Sequence, residues 1–324
     1  MIWTELDERQ RQDIIRRHGN GESVDTLASE YDLLSSSLSR KLRLLRNGPR
    51  ELYYRRAMTD LFMDGGSCRV FVYSDCHFGM HDEAALDIAL QIAREFNPDV
   101  VINLGDTLDC HVLSRYRHDP GAPSIQDERD AWYVFAESLN AVTPDADGDR
   151  YILAGNHDIR FKNSVADWNL TDMEEMTLDG LLYTKELGYH PICDVIAVNR
   201  KGTLAYPNAM MYMFHGDSAR AHAGATARHY SDMFSTGSTI TGHAHRSAMY
   251  TRRTANGVVE SFEVGTLARI DPEYTMFPNW TQSVLTGDFV GDSFSFQNTV
   301  IRNGYAIFYG EEYYSSLMER NVEP

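Results

Sequence analysis

Val100-Val101-Ile102-Asn103-Leu104-Gly105-Asp106-Thr107-Leu108-Asp109 is an apolar run that stops on a glycine and then delivers two carboxylates. Val100–Leu104 reads as a buried strand, and an acid placed directly after it stands at the strand's carboxyl end, where an α/β sheet gathers its chemistry. Gly105 allows the backbone to approach a neighbour closely at that point.

The same arrangement recurs on both sides of this stretch. The apolar strand Arg69–Tyr73 precedes Ser74-Asp75-Cys76-His77, and Tyr151–Leu153 leads into Gly155-Asn156-His157-Asp158. Met211–Phe214 precedes His215-Gly216-Asp217, and Thr239–Thr241 precedes Gly242-His243-Ala244-His245. Amphipathic helices are expected over Asp82–Phe96 and Ile125–Val142. Past Arg246 the pattern turns to alternating strands. Ala248–Arg252 and Val258–Val264, joined through Ala255-Asn256-Gly257, form a hairpin signal, and Ser283–Phe289, Ser293–Ile301 and Tyr305–Tyr309 continue it. A second sheet packed on the first is the simplest account, so the expected fold class is α/β.

The five motifs supply carboxylates, imidazoles and one carboxamide oxygen, the mixed ligand set that divalent first-row metals prefer. On an extended chain Asp75 and His77 point to the same side and can grip one cation. A single carboxylate at Asp106 can bridge two. Asn156 offers a neutral oxygen, and His243 and His245 can face one metal together or diverge toward two. Each motif alone is common in structural roles; their order and their shared position at strand ends carry the weight.

In this order the motifs resemble the signature of the calcineurin-like metallophosphoesterase superfamily: Asp-x-His, Gly-Asp-x-x-Asp, Gly-Asn-His-Asp/Glu, His, Gly-His-x-His. The resemblance covers about residues 67 to 310. It implies a two-sheet β-sandwich flanked by helices, with Asp75, His77, Asp106 and His245 on a first metal and Asp106, Asn156, His215 and His243 on a second. It further implies hydrolysis of a phosphoester by a metal-bridging hydroxide, with His157 as the unmetallated catalytic histidine. Asp158 would either orient His157 or serve as the first-turn carboxylate of a helix. Asp109 ends the Gly-Asp-x-x-Asp pattern and stands, in such proteins, behind the ligands.

At 324 residues the chain can hold one large α/β domain and a small appendage. Its four cysteines lack a C-x-x-C spacing, which speaks against a disulfide framework or zinc knuckle. The first residues carry no basic start or apolar stretch, and no apolar run approaches membrane length, so a cytoplasmic protein without a membrane association is expected. Net charge is −17, unevenly spread. Residues 1–56 hold 11 Lys/Arg against 9 Asp/Glu, a surplus of two positive charges, and the rest carries −19. Such a body repels polyanions unless a local basic surface or metals intervene, which argues against a non-specific DNA binder.

Three domains are expected: helices over 1–47, a connector with one short helix over 48–66, and a catalytic domain over 67–324. In the first, a helix from Asp7 to Arg17 stops at Gly19-Asn20-Gly21. Ser23 caps a second that carries Val24, Leu27, Ala28 and Tyr31 on one face, and Ser35 caps a third with Leu38, Leu42 and Leu45. The stretch resembles the helix-turn-helix of resolvase-like and homeodomain-like modules, which would put Ser36, Ser37, Arg40 and Lys41 near DNA, as a homodimer on two half-sites. A helical appendage that packs or dimerises reads equally from the same residues.

The segment Cys110–Pro123 concentrates His111, Arg115, Tyr116, Arg117 and His118, either a solvated loop or a substrate rim with Arg115 and Arg160 as phosphate partners. Asp271-Pro272-Glu273-Tyr274 with Pro278-Asn279-Trp280 resembles a prokaryotic and bacteriophage subgroup of the same superfamily, often preceded by a helix-turn-helix. The leading expectation is a phosphodiesterase or nuclease acting on nucleic acid or nucleotides. The alternatives are a small-molecule phosphatase or cyclic-nucleotide phosphodiesterase, and a DNA-binding regulator with a scaffold-only phosphoesterase domain. Two divalent ions are expected, Mn²⁺ foremost, with Fe, Zn, Co, Ni or Mg accepted by the same ligands.

Overall fold

A computed structural model describes residues 10, 13, 14, 17, 22–31, 38, 58–63, 66–114, 121–170, 173–200, 209–234, 237–255, 257–271 and 278–317. The chain forms two compact units, Met1–Arg56 and Ala57–Pro324. In the first, helix α1 (Val24–Glu30) starts at Ser23, whose hydroxyl accepts from the Thr26 amide at 3.1 Å. Ile14, Leu27, Ala28 and Leu38 are buried together, with Val24 and Tyr31 packed against them. Ser36, Ser37, Arg40, Lys41 and Arg115 lie outside the described residues.

The second unit is built on two sheets. One has five strands: β2 (Ser67–Tyr73), β3 (Val100–Asn103), β4 (Arg150–Ile152), β10 (Gln282–Val290) and β11 (Ser293–Ile301), ordered β11-β10-β2-β3-β4. The other has six: β1 (Met58–Met63), β5 (Val195–Arg200), β6 (Met211–Phe214), β7 (Ser238–Thr241), β8 (Ala248–Thr254) and β9 (Gly257–Glu263), ordered β1-β5-β6-β7-β9-β8. A hairpin of β12 (Tyr305–Phe308) and β13 (Glu311–Tyr314) completes the strands.

Period-two alternation assigns each face of the five-stranded sheet. Val70 and Val72 join Ile102, Ile196, Met213, Ile240 and Phe262 in the core between the sheets. Phe71 and Tyr73 turn to the opposite face, against Ile88 and Ile92 of helix α2 (Glu83–Phe96) and Trp132 and Phe135 of helix α3 (Ile125–Val142). Both helices are capped as their sequences dictate: Asp82 accepts from the Ala85 amide, and Ser124 with Asp127 forms a reciprocal box.

The structure departs from expectation in two places. The segment read as a connector contains β1, paired in parallel with β5. The strands after Arg246 do not together make up the second sheet; only the β12–β13 hairpin pairs with itself alone. The β8–β9 hairpin extends the sheet of β6 and β7, whereas β10 returns to pair with β2 and carries β11 on its outer edge. Alternation tells a strand's buried face from its exposed one, not which neighbour it will hydrogen-bond. Among the described residues no helix is long and apolar enough to cross a membrane, and the four cysteines are free thiols.

Candidate metal centre

The five motifs meet at the carboxyl ends of β2, β3, β4, β6 and β7. Three groups of side chains present ligand atoms within 4.8 Å of one another: His77, Asp109 and His157, and the two built from the expected metal ligands, Asp75, His77 and His245 and Asp106, His215 and His243. One carboxylate oxygen joins these two, since Asp106 Oδ2 lies 3.2 Å from His215 Nε2 and 3.7 Å from His77 Nε2. Asn156 Oδ1 sits 3.1 Å from His215 Nε2 and 2.7 Å from His243 Nδ1. His243 and His245 thus diverge, one to each group.

The backbone explains how residues so near in sequence converge. Asp75, His77, Asp106, His243 and His245 all have φ between 46° and 64°. Asp75 and His77 therefore share a side through left-handed turns, not through the extended alternation expected for them. Such residues cost about 1–3 kcal/mol each and persist where the surroundings fix them. The fixing bonds are visible: the Asp75 amide donates to Gly105 O at 3.0 Å, the His77 amide to Asp106 O at 3.0 Å, and the His243 amide to Asp75 Oδ2 at 2.9 Å. The seams are also closely packed. A Cβ on Gly155 would lie 2.1 Å from Asp106 N, and one on Gly242 would lie 2.0 Å from Ser74 Oγ.

Outer partners leave the inner atoms with lone pairs facing lone pairs. Asp75 Oδ2 accepts from Ser74 Oγ at 2.5 Å and from the His243 amide, while buried Oδ1 has no hydrogen-bond partner; His245 Nε2 lies 3.1 Å from it outside hydrogen-bond geometry. Asp106 Oδ1 accepts the His157 amide at 2.7 Å, which frees Oδ2 for the cluster. His215 Nδ1 donates to Leu104 O at 3.1 Å and His77 Nδ1 to Asp109 Oδ1 at 3.1 Å, so each Nε2 points inward. Inward acceptors with outward bonds that fix the tautomer are the arrangement of metal-ligating imidazoles, and the donor set suits a divalent cation.

The electrostatics agree. Burial pulls His77 and His215 down, but Asp109, Asp75 and Asp106 offset this and carry His77 up to about 10, while Asp106 and Asp75 carry His215 up to about 9. Burial likewise opposes ionisation of Asp75 and Asp106, yet the imidazoles around them hold both below the usual carboxylate range. His243 and His245 are lowered, first by burial. The cluster seeks positive charge, which protons or metal ions supply.

Asp158 does not orient His157. Its buried carboxylate accepts from the Gly155 amide at 2.9 Å and the Leu108 amide at 3.3 Å, tying the start of helix α4 (Asn156–Asp167) to the loop after β3. Burial and then Asp106 raise it to about 6. The group that orients His157 is Asp109, whose Oδ1 lies 3.0 Å and whose backbone oxygen lies 2.8 Å from His157 Nδ1. Asp109 therefore serves His77 and His157 at once. Arg160 donates to Asp109 O at 3.1 Å and to His157 Nε2 at 2.9 Å.

Beyond the cluster opens a cleft of about 610 Å³, lined by Asn156 and His157 on one side and Arg220, Arg246, Asn279 and Trp280 on the other. Of these wall residues, sequence reading noted Asn279 and Trp280 only as part of a tail and missed Arg220 and Arg246. A model of the calcineurin-like phosphoesterase family matches residues 68–230. The chain belongs to this family.

Solved structures similar to this phosphoesterase include vacuolar protein sorting 29 of Cryptosporidium parvum, at 13% identity and TM-score 0.38 over 77% of this chain and 100% of that one. Vps29 of Chaetomium thermophilum gives 13% and 0.39 over 76% and 98%, and the phosphoesterase Yfce of E. coli 13% and 0.30 over 68% and 91%. Likeness at this level adds nothing to the family match. Comparison with curated proteins gave no match.

Proposed function

We propose that this phosphoesterase hydrolyses phosphodiesters of nucleic acid or nucleotides with two divalent cations. In this reading Asp75, His77, Asp106 and His245 hold one cation, and Asp106, Asn156, His215 and His243 hold the other. The observation that supports it is the reach of Asp106 Oδ2 to an imidazole of each group, at 3.2 and 3.7 Å. When bound, the pair supplies Lewis acidity at the phosphoryl group and a nucleophile at neutral pH.

His157 is the proton donor to the leaving oxygen in this scheme. Asp109 takes the Nδ1 proton in a hydrogen bond and stabilises the imidazolium, so that Nε2–H can be given to the departing alkoxide. Arg160 now donates to that nitrogen and must release it; phosphate oxygens are the acceptors that would draw it away.

The charge of −19 beyond residue 56 favours a second reading, a phosphatase or cyclic-nucleotide phosphodiesterase for small substrates. Full-length protein with Mn²⁺, offered single-stranded DNA, bis-p-nitrophenyl phosphate and p-nitrophenyl phosphate, separates the two. Strand cleavage with faster diester than monoester turnover is expected. Faster monoester turnover and intact DNA would transfer the assignment to the second reading.

A further inference from the structure

We propose that the outer wall of the cleft is a subsite for a single-stranded nucleic acid, with a nucleobase stacked on Trp280 and a neighbouring phosphate against Arg220. The inference rests on the phosphodiesterase reading and adds which residues recognise the substrate beyond the reacting phosphorus.

The wall is built into the centre. The Thr281 amide donates to His245 O at 2.8 Å and the Ser247 amide to Thr281 Oγ1 at 2.6 Å, which zips the Trp280 segment to a proposed ligand. Half-buried Trp280 meets the His245 ring edge-on at 4.4 Å and also lines the cleft. Asn279 Nδ2 donates to Ala221 O at 3.1 Å. Arg246, only 4% exposed, donates to the same oxygen at 3.1 Å and to Arg220 O. These bonds hold the Arg220 loop against the Trp280 segment, and the exposed Arg220 side chain stands at the rim.

Charge selects the occupant. Residues 218–231 contain Arg220, His222, Arg228 and His229 and no carboxylate, within a chain of net charge −17. Asp217 and Asp232 bound the stretch; the first accepts from Tyr230 Oη at 3.0 Å and the second lies 4.0 Å from Arg228. Of these basic residues Arg220 lines the cleft with Trp280, and an exposed guanidinium beside an aromatic ring is the chemistry that holds single strands, the ring stacking a base while the cation meets the backbone. A duplex keeps its base faces covered. A volume of about 610 Å³ lies within the range of pockets that enclose small organic ligands, which accommodates one nucleotide unit.

Two measurements on the full chain test this. In EDTA, fluorescence anisotropy with a labelled single-stranded DNA decamer should show Trp280→Ala weakening binding by on the order of tenfold to a hundredfold, with Trp280→Phe restoring most of it. Arg220→Gln should lower the slope of log affinity against log salt by about one. In Mn²⁺, the wild type should cleave the decamer in preference to an abasic decamer, and Trp280→Ala should abolish that preference. Unchanged strand binding, or equal loss on both decamers, would mean that Trp280 only covers His245 and would overturn the subsite while leaving the phosphodiesterase reading intact. A wild type that binds the strand yet hydrolyses no diester would overturn the phosphodiesterase reading itself.

Discussion

The two sheets bring unlike chemistry to one point. From the five-stranded sheet come both carboxylates of the cluster, Asp75 and Asp106, together with His77 and the carboxamide of Asn156; behind them stand Asp109 and Asp158. The six-stranded sheet sends only imidazoles, His215, His243 and His245. One side is therefore rich in negative charge and the other is nearly neutral unless protonated. Closing the sandwich buries the acids against the imidazoles, and a cation between them turns that burial from a penalty into an attraction. The lesson is that the centre is an interface between layers, so changes in one sheet should be felt by ligands of the other.

The strongest way to break this contrast is to remove its shared acid. Asp106→Ala should reduce hydrolysis to background and bind neither cation, while His215→Ala should still bind one; metal analysis after gel filtration distinguishes them. Equal stoichiometry in the two variants would deny Asp106 a bridging place. Next in size is His157, on the acidic side, whose amide bonds Asp106 Oδ1 and whose ring meets that of His77 edge-on at 4.4 Å, but which holds neither cation in the proposed reading. His157→Ala should lower kcat by about 10²–10⁴ with both cations retained. Asp109→Asn should act on His77 and His157 together and lower metal affinity or activity by about 10–100-fold. An Asp109→Asn variant with wild-type kinetics and metal affinity would remove it from the centre.

The mildest test uses pH. His77 and His215 are held up to about 10 and about 9 in the metal-free chain, above their ordinary value near 6.5. Because folding raises these values, their stabilisation is full below pH 6.5 and is lost as pH climbs through 9 to 10. Metal-free protein should accordingly melt lower at pH 9.5 than at pH 6.5. Metal binding at pH 7 should release on the order of two protons, read by calorimetry in buffers of different ionisation heat. Binding that takes protons up instead would reverse the assignment.

Much of this was legible beforehand because strand ends and ligands coincide in the sequence. Helix Ile125–Val142 and strands Met211–Phe214 and Ser293–Ile301 begin and end where their patterning says. Pairing across sheets was not legible: β10 shows the same alternation whether it joins β2 or β9, and only the packed core chooses. At the centre, the motifs named the residues that gather but not their second contacts. Asp109 and Asp158 each follow a glycine motif at similar spacing; the sequence leaves Asp158 open between orienting His157 and starting a helix, and nothing local says that Asp109 is the one that reaches His157. The Trp280 wall was invisible for a related reason, since its proximity to His245 depends on Thr281 closing a gap of 36 residues.

At Gly242 the chain passes so near Ser74 that no side chain fits between the layers. This seam works as a spacer gauge. It sets how far apart the facing ligands stand, and with them the distance between any two ions they hold. A methyl group there, far from solvent and carrying no charge, would lie 2.0 Å from Ser74 Oγ and 2.7 Å from Asp75 Oδ2 and so would push a ligand of the opposite layer out of place.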